Sequence, residues 1–404
     1  MKPTTLPCAT TSSAHPLFQQ NDLGSKNWWN QVQHIGNPLI LKKNHRTHCT
    51  FLWRCQSQAE QIFIDIYSQT PSIYQQWNQF QQIENTDIAF FEIELPHDWS
   101  GSYVLVTTTD LAPHTTDAAV RRQWWQKQLQ QHAQIDSLNP YPAYPAQVAR
   151  WVNQVHLTEK EENYTQDLLI QYRSLQWQST LLETTYPVDL YQTSDELSAN
   201  RPLILFLDGQ VWSQHLPILQ QLQTLTDQNK IIPACYAFIH SINSEQRCFD
   251  YGCRDLFSQA LVEELIPYLK QQFGLDNSKI SLCGQSLGGL CALHTLLLYP
   301  NALHQLILQS GSYWWSDYSQ SHFLKDQQQR FLELIPQHLQ RIPTDRNILI
   351  RTGQCETDMC EDSEQLYVHL NPFVDTQIHT FAGGHDAVNW RHDLIASLQI
   401  LLSS

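Results

Sequence analysis

What this 404-residue sequence has little of narrows it first. Positive charge is scarce: 24 Lys and Arg face 39 Asp and Glu, and the net charge of -15 offers no extended basic surface to nucleic acid or to an anionic membrane. An anionic small substrate would need local arginines to overcome that field. Charged residues make up only 16% against 42% hydrophobic, with Gln supplying much of the remaining polarity, which is the balance of a soluble globular chain. No apolar run approaches the roughly 18 residues of a membrane span. Nothing in the first twenty residues has the apolar stretch of a secretory leader, so a cytoplasmic protein is expected. The ten cysteines are scattered and include no Cys-x-x-Cys, so they read as small buried hydrophobes and not as a disulfide frame. His45 and His48 beside Cys49 have no second pair at ligand spacing, so neither a metal nor another cofactor is expected.

The chain is longer than one hydrophobic core usually serves, and two domains are expected after a flexible N-terminus over residues 1–25. Through residues 26–165, short apolar segments alternate with breakers: Thr50 to Trp53, Ile62 to Tyr67, Ile88 to Leu95 and Tyr103 to Thr107, separated by Pro71, Pro96 and Gly101. That pattern predicts an antiparallel β-sandwich, followed by a helix over 121–133 and a stiff Pro-rich connector at 139–145. The paired tryptophans Trp28-Trp29 and Trp124-Trp125 read as packing residues. Over residues 166–404 the period changes to fully apolar strands alternating with helices, starting at Leu203 to Leu207 and Ala234 to Ile239. This predicts a largely parallel sheet covered on both faces, an α/β domain whose site lies at the C-terminal strand ends.

One stretch of that domain carries chemistry. In Ile280-Ser281-Leu282-Cys283-Gly284-Gln285-Ser286-Leu287-Gly288-Gly289-Leu290 an apolar strand runs into Gly-x-Ser-x-Gly and then into a helical pattern. This is the strand, tight turn and helix of a nucleophile elbow: Ser286 would stand exposed and the Leu287 N–H would face an oxyanion. Acidic residues follow the strand at 347–352, and Gly383-Gly384-His385-Asp386 follows the last strand. Nucleophile, acid, then histidine is the chain order of α/β-hydrolases. His385 would take the proton of Ser286, which an ordinary imidazole pKa of about 6.5 suits. Glu356, Asp358, Glu361 and Asp362 crowd one loop; Glu356 lies nearest the strand end and is preferred, with Asp358 second. The backbone of Gly209 or Gln210, after the strand ending at Leu207, is the expected second oxyanion donor.

Leu-Asp-Gly-Gln-Val-Trp at 207–212, Gly-Gln-Ser-Leu-Gly-Gly at 284–289, Ser-Gly-Ser-Tyr-Trp-Trp at 310–315 and Gly-Gly-His-Asp-Ala with Trp390-Arg391 resemble the enterochelin (enterobactin) esterases. The resemblance extends to Ser25–Trp29, Thr50–Arg54 and Ile135–Pro140, and so covers nearly the whole chain. It implies an α/β-hydrolase that opens the triserine trilactone of a catecholate siderophore, with Ser286, His385 and, by its Gly-x-x-Glu spacing from Gly353, Glu356 as the triad. It also implies a substrate role for Arg247, although Phe249 and Asp250 stand where the family has His and Glu. A bulky, anionic, aromatic substrate wants arginine and flat rings, so Arg247, Trp212, Trp314, Trp315, Trp390 and Arg391 are the expected substrate contacts. A same-fold esterase or acyltransferase acting on other aromatic esters would share the triad.

Overall fold

In a computed structural model of the chain, residues 13, 15–43, 46–57, 59–157, 170–194, 198–324 and 327–403 are described. The chain divides into two compact units, Met1–Glu162 and Asn163–Ser404. In the first, β1 (Leu39–Lys43), β2 (Arg46–Arg54), β3 (Gln61–Ile66), β4 (Gln81–Gln82), β5 (Ile88–Pro96), β6 (Ser100–Thr108), β7 (Ala133–Gln134) and β8 (Asn153–His156) form two antiparallel sheets. One has the order β1-β2-β5-β4, and the other β3-β6-β7 with β8 also paired to β6. The two-residue period of β2 and β5 sorts their side chains. Cys49, Phe51, Ala89, Ile93 and Leu95 face Ile62, Ile64, Tyr103 and Leu105 of the second sheet. Leu52, Ile88 and Phe90 face away, onto Trp28, Trp29 and Val32 of the helix Lys26–Ile35.

Within residues 1–25, where flexibility is expected, the segment before the first helix is ordered by packing. Pro16–Gln19 form a 3-10 turn capped by His15, with Leu17 and Phe18 buried against Trp28 and Phe90. Residues 1–12 and 14 lie outside the described residues, as does His45. His48 is buried with Nε2 3.0 Å from the Glu92 carboxylate. Trp125 is buried, and with Trp124 it packs around Phe63 and Trp77.

The second unit holds one eight-stranded sheet made of β9 (Arg173–Ser179), β10 (Thr184–Gln192), β11 (Leu203–Phe206), β12 (Cys235–Ile239), β13 (Ile280–Gln285), β14 (Gln305–Gln309), β15 (Asn347–Gly353) and β16 (Asp375–Phe381). Its order is β16-β15-β14-β13-β11-β12-β10-β9. From β12 to β16 every pairing is parallel; β9 and β10 add an antiparallel edge. The sequence pattern missed that edge because Arg173–Ser179 keeps an exposed face and few apolar residues. Alternate residues feed two cores: Leu203, Leu205, Leu282 and Ile350 on one face, and Ile204, Phe206, Cys283 and Leu349 on the other. The helix Leu287–Leu298 covers the first face, and the helices Leu219–Asp227 and Ala387–Leu401 cover the second. After β11 the chain places β12 on one side and later β13 on the other, so the ends of β11 and β13 flank a topological switch point.

A buried carboxylate in the first unit gives its stability a pH signature. Asp136 is 3% exposed and accepts from Tyr103 Oη at 2.7 Å, Asn37 Nδ2 at 2.6 Å and the Leu138 N–H at 3.0 Å. Burial raises its pKa to about 6 despite those bonds. The folded state therefore keeps a proton that the unfolded chain loses near pH 4, so stability falls as pH rises toward 6 and is level above it. A rise of this size corresponds to roughly 3 kcal/mol. The pKa of Asp65 in β3 is likewise raised to about 6 by burial, so hydrogen exchange of the β3 and β6 amides, corrected for intrinsic rates, should show protection falling by at least that order between pH 4 and 6.5. In Asp136→Asn the fall should shrink markedly, since the amide does not titrate.

Candidate active site

The elbow is built by close approach. Ser286 follows β13 with φ 57° and ψ -121°, and the helix Leu287–Leu298 starts at once. A residue with a Cβ at that φ carries strain of about 1–3 kcal/mol, so its surroundings must enforce it. They do: a Cβ at position 284 would lie 2.1 Å from the Gly288 carbonyl oxygen, and only glycine lets the strand and the helix pass so closely. The Ser286 N–H donates to Gln309 O at 3.0 Å, and its carbonyl accepts from the N–H groups of Gly289 at 3.0 Å and Ser312 at 3.1 Å. Leu287 opens the helix, where an N–H has no intrahelical acceptor and the dipole is positive.

Across the sheet, His385 Nδ1 donates to Glu356 Oε1 at 2.6 Å. With Nδ1 carrying the proton, Nε2 is left with a lone pair, as a base requires. Glu356 is 9% exposed, and its other oxygen accepts from the Gly353 N–H at 2.8 Å and Ser310 Oγ at 2.6 Å. Ser310 Oγ in turn accepts from Trp390 Nε1 at 3.0 Å, and the Trp390 ring meets His385 edge-on at 4.6 Å. Asp358 and Glu361 are exposed, while Asp362 is buried on Arg330 at 3.0 Å, so of the four acidic candidates Glu356 is the one on the imidazole. Ser286 Oγ lies 3.4 Å from Ser312 Oγ. Among the described residues no hydrogen bond joins Ser286 to His385, a contact that unliganded hydrolase sites commonly leave to be tightened by substrate. Ser312 and Ser310 escaped the sequence search although both lie in the Ser-Gly-Ser string after β14.

The loop after β11 is as tightly specified. Asp208 has φ 53°, and a Cβ on Gly209 would lie 2.2 Å from the Phe238 carbonyl carbon of β12. The Gln210 side chain is turned to Ser241, donating to its Oγ at 2.7 Å and accepting from its N–H at 3.0 Å, so only backbone groups of residues 209 and 210 can serve a ligand. Two expected substrate contacts are corrected. Trp212 is 1% exposed in the core, its indole N–H on Gln285 Oε1 at 3.3 Å. Arg391 is fully buried and donates through Nε and Nη2 to the Pro217 carbonyl at 3.1 and 2.7 Å. Trp390 is half-buried and touches His385. Trp314 is exposed, whereas Trp315 is half-buried over Gly252.

Arg247 also differs from expectation. Its guanidinium is turned onto Asp208, with Nε 2.8 and 2.9 Å from the two carboxylate oxygens and Nη2 2.7 Å from Oδ2, and Nη2 also reaches Gln285 O at 3.3 Å. Burial penalises this cation, but Asp208 outweighs the penalty and raises its pKa. The arginine thus ties the turn after β11 to the end of β13, just before Ser286.

Residues 179–401 match the family described as "Putative esterase", and residues 48–161 match "Enterochelin esterase, N-terminal". The iron(III) enterobactin esterase of Dickeya dadantii (strain 3937) is 31% identical over 96% of this chain and 95% of its own length. This chain belongs to the enterochelin esterase family. The iron(III) enterobactin esterase of Escherichia coli (strain K12), 27% identical, covers 93% of this chain and 96% of its own. The crystal structure of the Shigella flexneri enterobactin esterase in the presence of enterobactin aligns with a TM-score of 0.80 at 26% identity, over 94% of this chain and 98% of that one. As a member of that family it is an ester hydrolase of the α/β-hydrolase fold.

Trp390→Phe keeps the ring edge but removes the donor to Ser310, so kcat should fall several-fold with KM little changed. Ser310→Ala should cost about tenfold to a hundredfold, since a hydrogen bond to a buried carboxylate is worth about 1.5–3 kcal/mol. Steady-state kinetics on one aryl ester checks both. Arg247→Ala should lower kcat/KM by similar factors on a neutral p-nitrophenyl ester and on an anionic siderophore, because it frees Asp208 and the turn. A loss confined to the siderophore would instead make Arg247 a direct substrate contact.

Proposed function

We propose that this protein hydrolyses the serine ester bonds of the trilactone in an enterobactin-type catecholate siderophore, allowing iron to be released in the cytoplasm. The observation that carries this is the 2.6 Å bond between His385 and buried Glu356, at strand ends shared with the elbow serine, in a chain of this family. Three relatives or neighbours are named enterobactin esterases, and one of them was crystallised in the presence of enterobactin. Among the described residues no helix is long and apolar enough to cross a membrane.

In this mechanism Ser286 Oγ attacks a lactone carbonyl carbon while its proton passes to His385 Nε2. Glu356 holds the ring in the Nδ1–H tautomer and stabilises the imidazolium that forms. The carbonyl oxygen, now an anion, is met by the Leu287 N–H and by the backbone N–H of Gly209 or Gln210. Collapse expels the seryl alkoxide, which takes the proton from His385. Water then repeats the cycle on the acyl-enzyme, with His385 as base, and leaves a free carboxylate on the product. Iron is part of the substrate, and the residues of the site supply nucleophile, base, acid and donors. Trp314 and Trp315, beside Ser312, offer the flat faces that a catecholamide ring would stack on.

Chromatography of products from ferric and iron-free enterobactin tests the proposal: linear trimer, dimer and monomer of dihydroxybenzoylserine should appear in sequence, and an intact siderophore alongside a turned-over aryl ester would sink the substrate assignment. Ser286→Ala should leave circular dichroism unchanged and reduce turnover to the low level sustained by binding and oxyanion donors alone. Glu356→Gln should cost at least a hundredfold more in kcat than Asp358→Asn. Near-wild-type rates in both variants would mean that the histidine works without its carboxylate.

A further inference from the structure

Another buried carboxylate of the hydrolase unit, Asp189, lies outside the mechanism described. Asp189, in the middle of β10, is 1% exposed and faces Phe238 of β12 and Ser174 of β9 across the sheet. Four side chains converge on it: Ser174 Oγ at 2.6 Å on one oxygen, and Ser213 Oγ at 2.7 Å, His240 Nε2 at 2.8 Å and Gln214 Nε2 at 2.9 Å on the other. Burial alone would raise its pKa, but the bonds from His240, Ser174 and Ser213 outweigh it and lower the value to about 2, so the group is an anion at any working pH.

A buried anion is costly unless fully satisfied, so where its donors come from matters. Ser213 and Gln214 belong to the π-helical segment Val211–His215, which continues directly from Gly209 and Gln210, and Ser213 Oγ also lies 3.0 Å from the Gly209 carbonyl. His240 is the residue after β12 and the neighbour of Ser241, which holds the Gln210 side chain through two bonds. The turn that carries the second oxyanion donor is therefore fastened at residue 210 by Ser241 and at residues 213 and 214 by Asp189.

We infer that Asp189 is a positioning residue for catalysis: through Ser213, Gln214 and His240 it fixes the 209–210 turn at the place where the oxyanion forms. The inference rests on the esterase mechanism proposed above, but not on the identity of the ester. A donor that acts on the developing oxyanion lowers kcat when displaced and leaves ground-state binding alone, and it does so for every ester alike.

Asp189→Asn keeps the volume but puts an amide N–H₂ where donors converge. On both p-nitrophenyl acetate and ferric enterobactin it should lower kcat tenfold to a hundredfold with KM within twofold. The inhibition constant of an aryl boronic acid, which forms a tetrahedral adduct on Ser286, should rise by the same factor, while the affinity for a linear product should stay unchanged. If this variant folds poorly, Ser213→Ala and Gln214→Leu carry the same test with smaller losses in the same sense. An unchanged kcat, or a fall in kcat without weaker boronate binding, would show that Asp189 serves stability alone and would overturn the inference. Wild-type turnover of the aryl ester but not of the siderophore would remove the proposed substrate, and the aryl-ester loss in Asp189→Asn would still support the positioning role.

Discussion

The hydrolase unit depends on one close approach: the backbone at Gly284 passes so near the Gly288 carbonyl that no Cβ fits between them. That contact holds Ser286 at a positive φ and lifts its side chain off the sheet while the next residue starts a helix. The strain is affordable because neighbours on several sides fix the same backbone: Gln309 accepts from the Ser286 N–H, and Ser312 donates to its carbonyl. β14 therefore supports the elbow as well as pairing with β13, and the Ser-Gly-Ser string that follows β14 serves two members of the site at once. Ser312 touches Ser286, and Ser310 touches Glu356.

A row of buried polar side chains runs beneath these loops. Trp212 Nε1 donates to Gln285, Gln285 Nε2 to Gln309 at 2.8 Å, and Gln309 Nε2 both to Asp393 at 2.7 Å and to the Trp390 carbonyl at 3.0 Å. The row connects the segment after β11, the elbow, β14 and the C-terminal helix. Hydrophobic side chains there would give more burial, but they would leave these elements free to slide by fractions of an ångström. Fully paired amides fix direction as well as distance, and a proposed catalytic serine and histidine carried on separate strands need that.

Charge is managed locally in the same way. The chain is strongly acidic, yet Arg247 faces inward onto Asp208, and Asp189 sits in the fold surrounded by donors. Both pairs lie around the turn after β11. The features of this turn that look suited to an anionic ligand are used first to hold its own backbone.

The sequence by itself determined the class of each unit and the identity of the central residues. Two-residue and helical periods separate a sandwich from an α/β sheet because burial follows them directly, and Gly284 ahead of Ser286 declares an elbow because only glycine fits where the strand passes the helix. Tertiary structure alone decided partners. Four carboxylates lie within seven residues of one another, and only folding shows that Glu356 turns back to His385 while Asp362 goes to Arg330. Trp212 and Arg391 look like substrate contacts in a linear text, since an aromatic ring or a cation near a strand end reads the same whether it faces solvent or core. The antiparallel edge of β9 and β10, and with it the placement of Asp189, was also invisible, because pairing between distant segments leaves no mark in local periodicity. Periodicity records which face a residue buries; what it meets there depends on chain segments tens of residues away.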